Sequence, residues 1–155
     1  MSAVLAAGHS QTLLDEIRAS ARQAGLTYAG GIAPERAWEL VQSGAATLVD
    51  VRSTEERKFV GHVPGSQHVA WATGTSLTRN PRFVRELEAK VRKEEVVVLL
   101  CRSGKRSALA AEAATKAGFT SVFNVLEGFD GEIDEQRHRG SMGGWRLQGL
   151  PWVQD

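Results

Sequence analysis

The stretch VVVLLCRSGKRSALAAEAATKAG, Val96–Gly118, decides how this chain is read. Val96–Leu100 is a continuous apolar run rather than an alternating one, the pattern of a strand buried on both faces of a parallel sheet. Such a strand carries Cys101 to its carboxyl end. The loop beyond holds one glycine, Gly104, and three cations, Arg102, Lys105 and Arg106. An alanine-rich helical stretch follows and stops at Gly118. In open α/β sheets the chemistry gathers beyond the carboxyl ends of the strands. Cys101, the single cysteine of the chain, falls in such a place.

Outward from that stretch the same alternation repeats. Ala46–Val51 and Ser121–Val125 are compact strand patterns, Ser66–Trp71 is another, and Leu26–Ile32 is a short one broken by glycines. Between them lie helical patterns. One is capped by Ser10 and runs to Ala24, one runs from Pro34 to Ser43, a short one starts at Thr54, and one follows Asn80-Pro81. The loop after Cys101 leads into a helix expected to start near Ser107. Strands alternating with helices predict a mostly parallel sheet covered on both faces. Asp50 and Arg52 fall at a strand's carboxyl end, as Cys101 does.

The 155 residues suit one domain, and 42% hydrophobic residues suffice for its core. With 19 basic and 18 acidic side chains the net charge is +1, which gives no reason to expect nucleic acid or membrane partners. One cysteine forms no internal disulfide, and the four histidines show no metal-ligand spacing. The N-terminus lacks the basic start of a signal peptide, and no apolar run is long enough to span a bilayer. A cytoplasmic, reducing setting is expected, which keeps Cys101 a free thiol.

A cysteine at a strand end is ordinarily a small hydrophobe. The residues after Cys101 argue otherwise. A thiolate is the reactive form, and the positive end of the following helix, with Arg102, Lys105 and Arg106, favours an anion in the loop. Gly104 allows the backbone to bend so that successive N–H groups cradle one atom. The loop Arg102-Ser103-Gly104-Lys105-Arg106-Ser107 thus suits both a thiolate and an anionic substrate.

Three blocks carry a resemblance. CRSGKRS (Cys101–Ser107), DVRSTEERKFVGHVPGSQHV (Asp50–Val69) and NVLEGF (Asn124–Phe129) with GGWRLQGLPW (Gly143–Trp152) together resemble the rhodanese family of sulfurtransferases. The likeness runs from about Ile32 to the C-terminus. It implies a rhodanese-like three-layer α/β fold, a central, mostly parallel sheet of about five short strands with helices on both faces. Residues 1–25 are then an N-terminal helical extension and residues 26–155 a single domain. By resemblance Cys101 is the nucleophile that becomes a persulfide, and Arg102, Ser103, Gly104, Lys105, Arg106 and Ser107 form the substrate-binding loop around it. Asp50 and Arg52 are a supporting pair, and Gly61, His62, Pro64 and Gly65 a structural turn. The implied activity moves sulfane sulfur from thiosulfate or a similar small anionic donor to a thiol or protein acceptor, or to cyanide in vitro. It calls for no metal and no organic cofactor.

Two departures stand out. The first 25 residues lie outside the likeness, and Asp130–Gly144 is longer than the matching segment of many single-domain members. Both are expected to shape an acceptor or partner surface. Two other readings compete. A cysteine-dependent phosphatase on the same fold uses C-x5-R, whereas Cys101 and Arg106 form C-x4-R, a smaller loop that suits a single sulfur atom. A persulfide carrier serving one protein partner would use the same chemistry with another acceptor.

Overall fold

The computed structural model describes residues 3–74, 76–131, 135–138 and 143–154, with side chains from Ser10 onward. Five helices, α1 (Ala3–Ala24), α2 (Pro34–Gln42), α3 (Thr54–Phe59), α4 (Phe83–Lys90) and α5 (Lys105–Lys116), alternate with seven strands among these residues. The strands are β1 (Gly30–Ile32), β2 (Thr47–Asp50), β3 (Gln67–His68), β4 (Ala72–Thr73), β5 (Thr78–Arg79), β6 (Val97–Leu100) and β7 (Val122–Val125). The main sheet runs β1-β7-β6-β2-β3 with every pairing parallel; β4 and β5 form a separate antiparallel hairpin.

The apolar run of β6 is buried at every position because the sheet is covered on both sides. Side chains alternate along a strand. Val97, Leu99 and Cys101 therefore join a core with Phe83 and Leu87 of α4 and Ala110, Ala111 and Ala114 of α5. Val98 and Leu100 join a second core with Leu14 of α1, Ala37 and Leu40 of α2, and Trp145. Ala110, Ala111 and Ala114 of α5 are fully buried, and their short side chains let the helix lie close on β6 and β7. Cys101 thus emerges on the α5 side, under the start of that helix.

Several boundaries differ from the sequence reading. Helix α1 begins at Ala3, so that Ser10 lies inside it rather than at its cap; Ala3, Leu5, Ala6 and Ala7 are good helix formers. It docks on the edge of the sheet: Leu14 and Ala21 are buried, and the Arg18 Nη2 donates to Ser121 Oγ at 2.6 Å. Of the Ser66–Trp71 pattern only Gln67–His68 is strand, although the Val69 and Trp71 amides still donate to Asp50 and Val51 carbonyls. The β4–β5 hairpin was not foreseen, since each strand has two residues and no apolar pattern. Helix α5 begins at Lys105, two residues earlier than expected, so the loop after Cys101 is short. Residues 132–134 and 139–142 of the Asp130–Gly144 segment lie outside the described residues.

Candidate active site

Cys101 leaves β6 with its side chain almost fully buried. Two donors converge on its sulfur. The Gly104 amide donates to Sγ at 3.0 Å, and the Ser107 hydroxyl lies 3.2 Å from it. Gly104 caps α5 at φ 101°, a left-handed conformation that side chains rarely adopt, and this turn swings its N–H back onto the sulfur. Hydrogen bonds from two directions favour negative charge at Sγ.

Asn124 of β7 holds that arrangement from below. Its Nδ2 donates to Gly104 O at 3.1 Å, and its Oδ1 accepts from the Ser107 hydroxyl. A hydroxyl has one proton to give, so Cys101 Sγ and Asn124 Oδ1 compete for it. Sequence reasoning passed over Asn124. The signal was a single polar residue within an otherwise apolar strand, where burial demands a hydrogen-bond partner.

The segment after β7 closes over the other side of the loop. The Phe129 amide donates to Cys101 O at 2.8 Å, and the Asp130 amide to Arg102 O at 2.9 Å. Gly128 lets these strands of backbone meet: a Cβ there would stand 2.6 Å from the Cys101 and Arg102 carbonyl oxygens. The buried Asp130 carboxylate lies between two arginines, 3.4 Å from Arg102 Nε and 3.0 Å from Arg146 Nη2.

Arg106 is a brace between α5 and α3. Its two terminal nitrogens reach the two Glu56 carboxylate oxygens at 2.6 and 2.7 Å. Glu56 also completes a capping box with Ser53, whose amide it accepts at 3.1 Å. Burial alone pushes the Glu56 carboxyl up. The hydrogen bonds from Arg106 and the Ser53 amide, the Arg106 charge and the Ser53 hydroxyl together outweigh burial and hold it at about 2, against 4.5 ordinarily. The hydrogen bonds to Glu56 raise the Arg106 guanidinium above its ordinary range against the opposing effect of burial, and the Glu56 charge adds to the rise.

Asp50 and Arg52 are fully buried and paired, with Arg52 Nη2 at 2.8 Å from Asp50 Oδ2 and Arg52 Nε at 3.0 Å from Oδ1. Arg52 Nη2 also donates to Gly61 O at 2.7 Å, tying the pair to the Gly61–Gly65 turn. The Arg52 guanidinium lies over the Phe129 ring, 4.2 Å from its centre. The pair therefore reaches the loop indirectly, through the residue whose amide holds Cys101 O. Ser103 is half-buried in the loop, and Lys105 is exposed at the first residue of α5. Of the expected site residues, Gly104 and Ser107 touch the sulfur, while the Arg106 side chain is turned to Glu56.

Comparison with known proteins identifies the family and the fold. A rhodanese-like domain model matches residues 33–132. The crystal structure of Rv0390 from M. tuberculosis is 46% identical with a TM-score of 0.75, over 83% of this chain and 99% of that one. The thiosulfate sulfurtransferase GlpE of Actinobacillus pleuropneumoniae serotype 7 is 31% identical over 120 residues, 77% of this chain and 89% of the relative. The polysulfide-sulfur transferase homodimer of Wolinella succinogenes is 25% identical with a TM-score of 0.54, over 94% of this chain and 89% of that one. The chain belongs to the rhodanese-like domain family, and its parallel sheet with helices on both faces is the rhodanese-like fold.

Proposed function

We propose that this chain is a sulfurtransferase that carries sulfane sulfur on Cys101. The observation that carries the reading is the convergence of the Gly104 amide and the Ser107 hydroxyl on one buried sulfur. The Cys101 thiolate attacks the outer sulfur of thiosulfate or a similar donor. The S–S bond of the donor breaks, sulfite leaves with its electron pair, and Cys101–S–S⁻ remains. An acceptor thiolate, or cyanide, then attacks the outer sulfur and Cys101 departs as thiolate. The names of two relatives, a thiosulfate sulfurtransferase and a polysulfide-sulfur transferase, support donors of this class. Donors fixed in place around the sulfur serve both half-reactions, since negative charge sits there before and after transfer.

The phosphatase reading fares worse for two reasons. The C-x4-R loop is one residue short of the phosphatase spacing, and both terminal nitrogens of Arg106 are engaged by Glu56. A chain that carries sulfur for one protein partner uses the same persulfide and differs only in acceptor. No helix among the described residues is long and apolar enough to cross a membrane, and a free cysteine fits a reducing cytoplasm. The test is steady-state transfer from thiosulfate to cyanide. Native protein should give thiocyanate with ping-pong kinetics, and Cys101→Ser should give none while remaining folded. Efficient hydrolysis of aryl phosphates by native protein, with no thiocyanate formed, would overturn the proposal.

A further inference from the structure

A depression of about 270 Å³ opens beside the catalytic loop, between the end of α3 and the hairpin that follows Trp71. Its walls include Phe59, Val60 and Leu77, and Arg102, the residue after the nucleophile, lines it too. Phe59 is 69% exposed and Leu77 44% exposed, both large apolar side chains left open to water. Leu77 adopts φ 52°, the left-handed region, where a leucine is strained. Strain of that kind gathers at ligand-binding surfaces.

We infer that this depression holds the apolar body of a small organic thiol, the sulfur acceptor, with its thiolate end at Arg102. The inference rests on the sulfurtransferase reading and names the acceptor class for the same site. The volume lies just below the usual range of small-molecule cavities, which suits a compact ligand. The charges around it set the orientation. Glu56 is neutralised by Arg106, and the single Asp130 carboxylate is shared between Arg102 and Arg146, so one positive charge is left over beside Cys101 to attract the anionic sulfur. Glu55 is also in the wall, and its Oε2 has no hydrogen-bond partner. A second negative charge on the acceptor is therefore disfavoured and an ammonium group favoured. In the transfer, R–S⁻ attacks the outer sulfur of Cys101–S–S⁻. The Cys101–sulfur bond breaks, its electron pair returns to Cys101 as thiolate, and R–S–S⁻ leaves.

The experiment has two arms. In the first, kcat/KM is measured for ethanethiol, butanethiol and hexanethiol, each normalised to cyanide in the same protein. A gain of about two- to fourfold per added methylene is expected while the chain stays within the depression. Phe59→Ser and Leu77→Ser, both at exposed positions, should flatten that slope. With chain length fixed, 6-aminohexanethiol should exceed 6-mercaptohexanoate by several-fold, and Glu55→Gln should abolish the difference. In the second arm, hexanethiol is titrated into Cys101→Ser protein, and amide shifts at Gly74 and Leu77 are followed by NMR. This arm needs no persulfide, so it stands even if sulfur transfer fails. A flat chain-length series, a slope unaffected by both serine variants, or no shifts at Gly74 and Leu77 overturns the inference. Absence of persulfide on thiosulfate-treated native protein, with the NMR shifts present, overturns the sulfurtransferase reading instead.

Discussion

Replacing Glu56 by glutamine removes a charge while keeping the side chain's shape, and the structure sets the size of the effect. The Glu56 carboxyl is held at about 2 against an ordinary 4.5. One unit corresponds to about 1.4 kcal/mol, so the depression is worth about 3 kcal/mol at most. The Glu56 side chain is 16% exposed, and solvent screening reduces this to about 2 kcal/mol. Because the folded value lies below the unfolded one, the contribution is fully present above about pH 5. It is lost as pH falls from there toward 2. Glu56→Gln should therefore cost about 2 kcal/mol at pH 7, lowering the melting temperature by about 6 °C, and the gap to native protein should close by pH 2. Urea denaturation of both proteins at pH 7, 5, 4 and 3 measures it. Other carboxylates titrate alike in both proteins and cancel in the difference. A gap that is absent at pH 7, or that stays constant down to pH 3, would refute the Glu56–Arg106 brace.

Two more substitutions probe the loop. Gly128→Ala places a Cβ against the Cys101 and Arg102 carbonyls, so it should destabilise by at least about 2 kcal/mol and lower transfer activity; unchanged denaturation midpoint and activity would mean the backbones are not in that contact. Ser107→Ala removes one of the two donors at Sγ and should slow persulfide formation about tenfold, the effect of one hydrogen bond to a charged group. Stopped-flow mixing with thiosulfate checks this, and an unchanged rate would show that Asn124 Oδ1 takes the hydroxyl proton.

The parts of the fold that a reader of the sequence can find are those encoded locally. The run Val96–Leu100 reads as a buried strand because covering both faces of a sheet removes any need for alternation. Gly104 reads as a bend because glycine has no Cβ to forbid it, and its cationic neighbours suit an anion there. The supporting contacts are different. Glu56 and Arg106 are 50 positions apart, and Ser107 and Asn124 are 17 apart, so nothing local joins them. Ser53 and Glu56 do carry the three-residue spacing of a capping box, which marks the helix start and not the partner across the site. Helix α5 starts early because Gly104 itself acts as its cap, a role usually sought in serine or aspartate. The hairpin of β4 and β5 rests on the Asn80 amide donating to Trp71 O, and Asn80 Nδ2 to Ala70 O, contacts made by the folded chain rather than by a pattern within it.

The central claim is that Cys101 accepts a sulfur atom and gives it up again. Intact-protein mass spectrometry tests it most directly, before and after thiosulfate and then after cyanide, with Cys101→Ser alongside. The account predicts that native protein gains the mass of one sulfur atom with thiosulfate, loses it with cyanide, and that the serine variant changes in neither step. A native protein whose mass does not change with thiosulfate or with polysulfide, or a serine variant that gains the same sulfur, would contradict it.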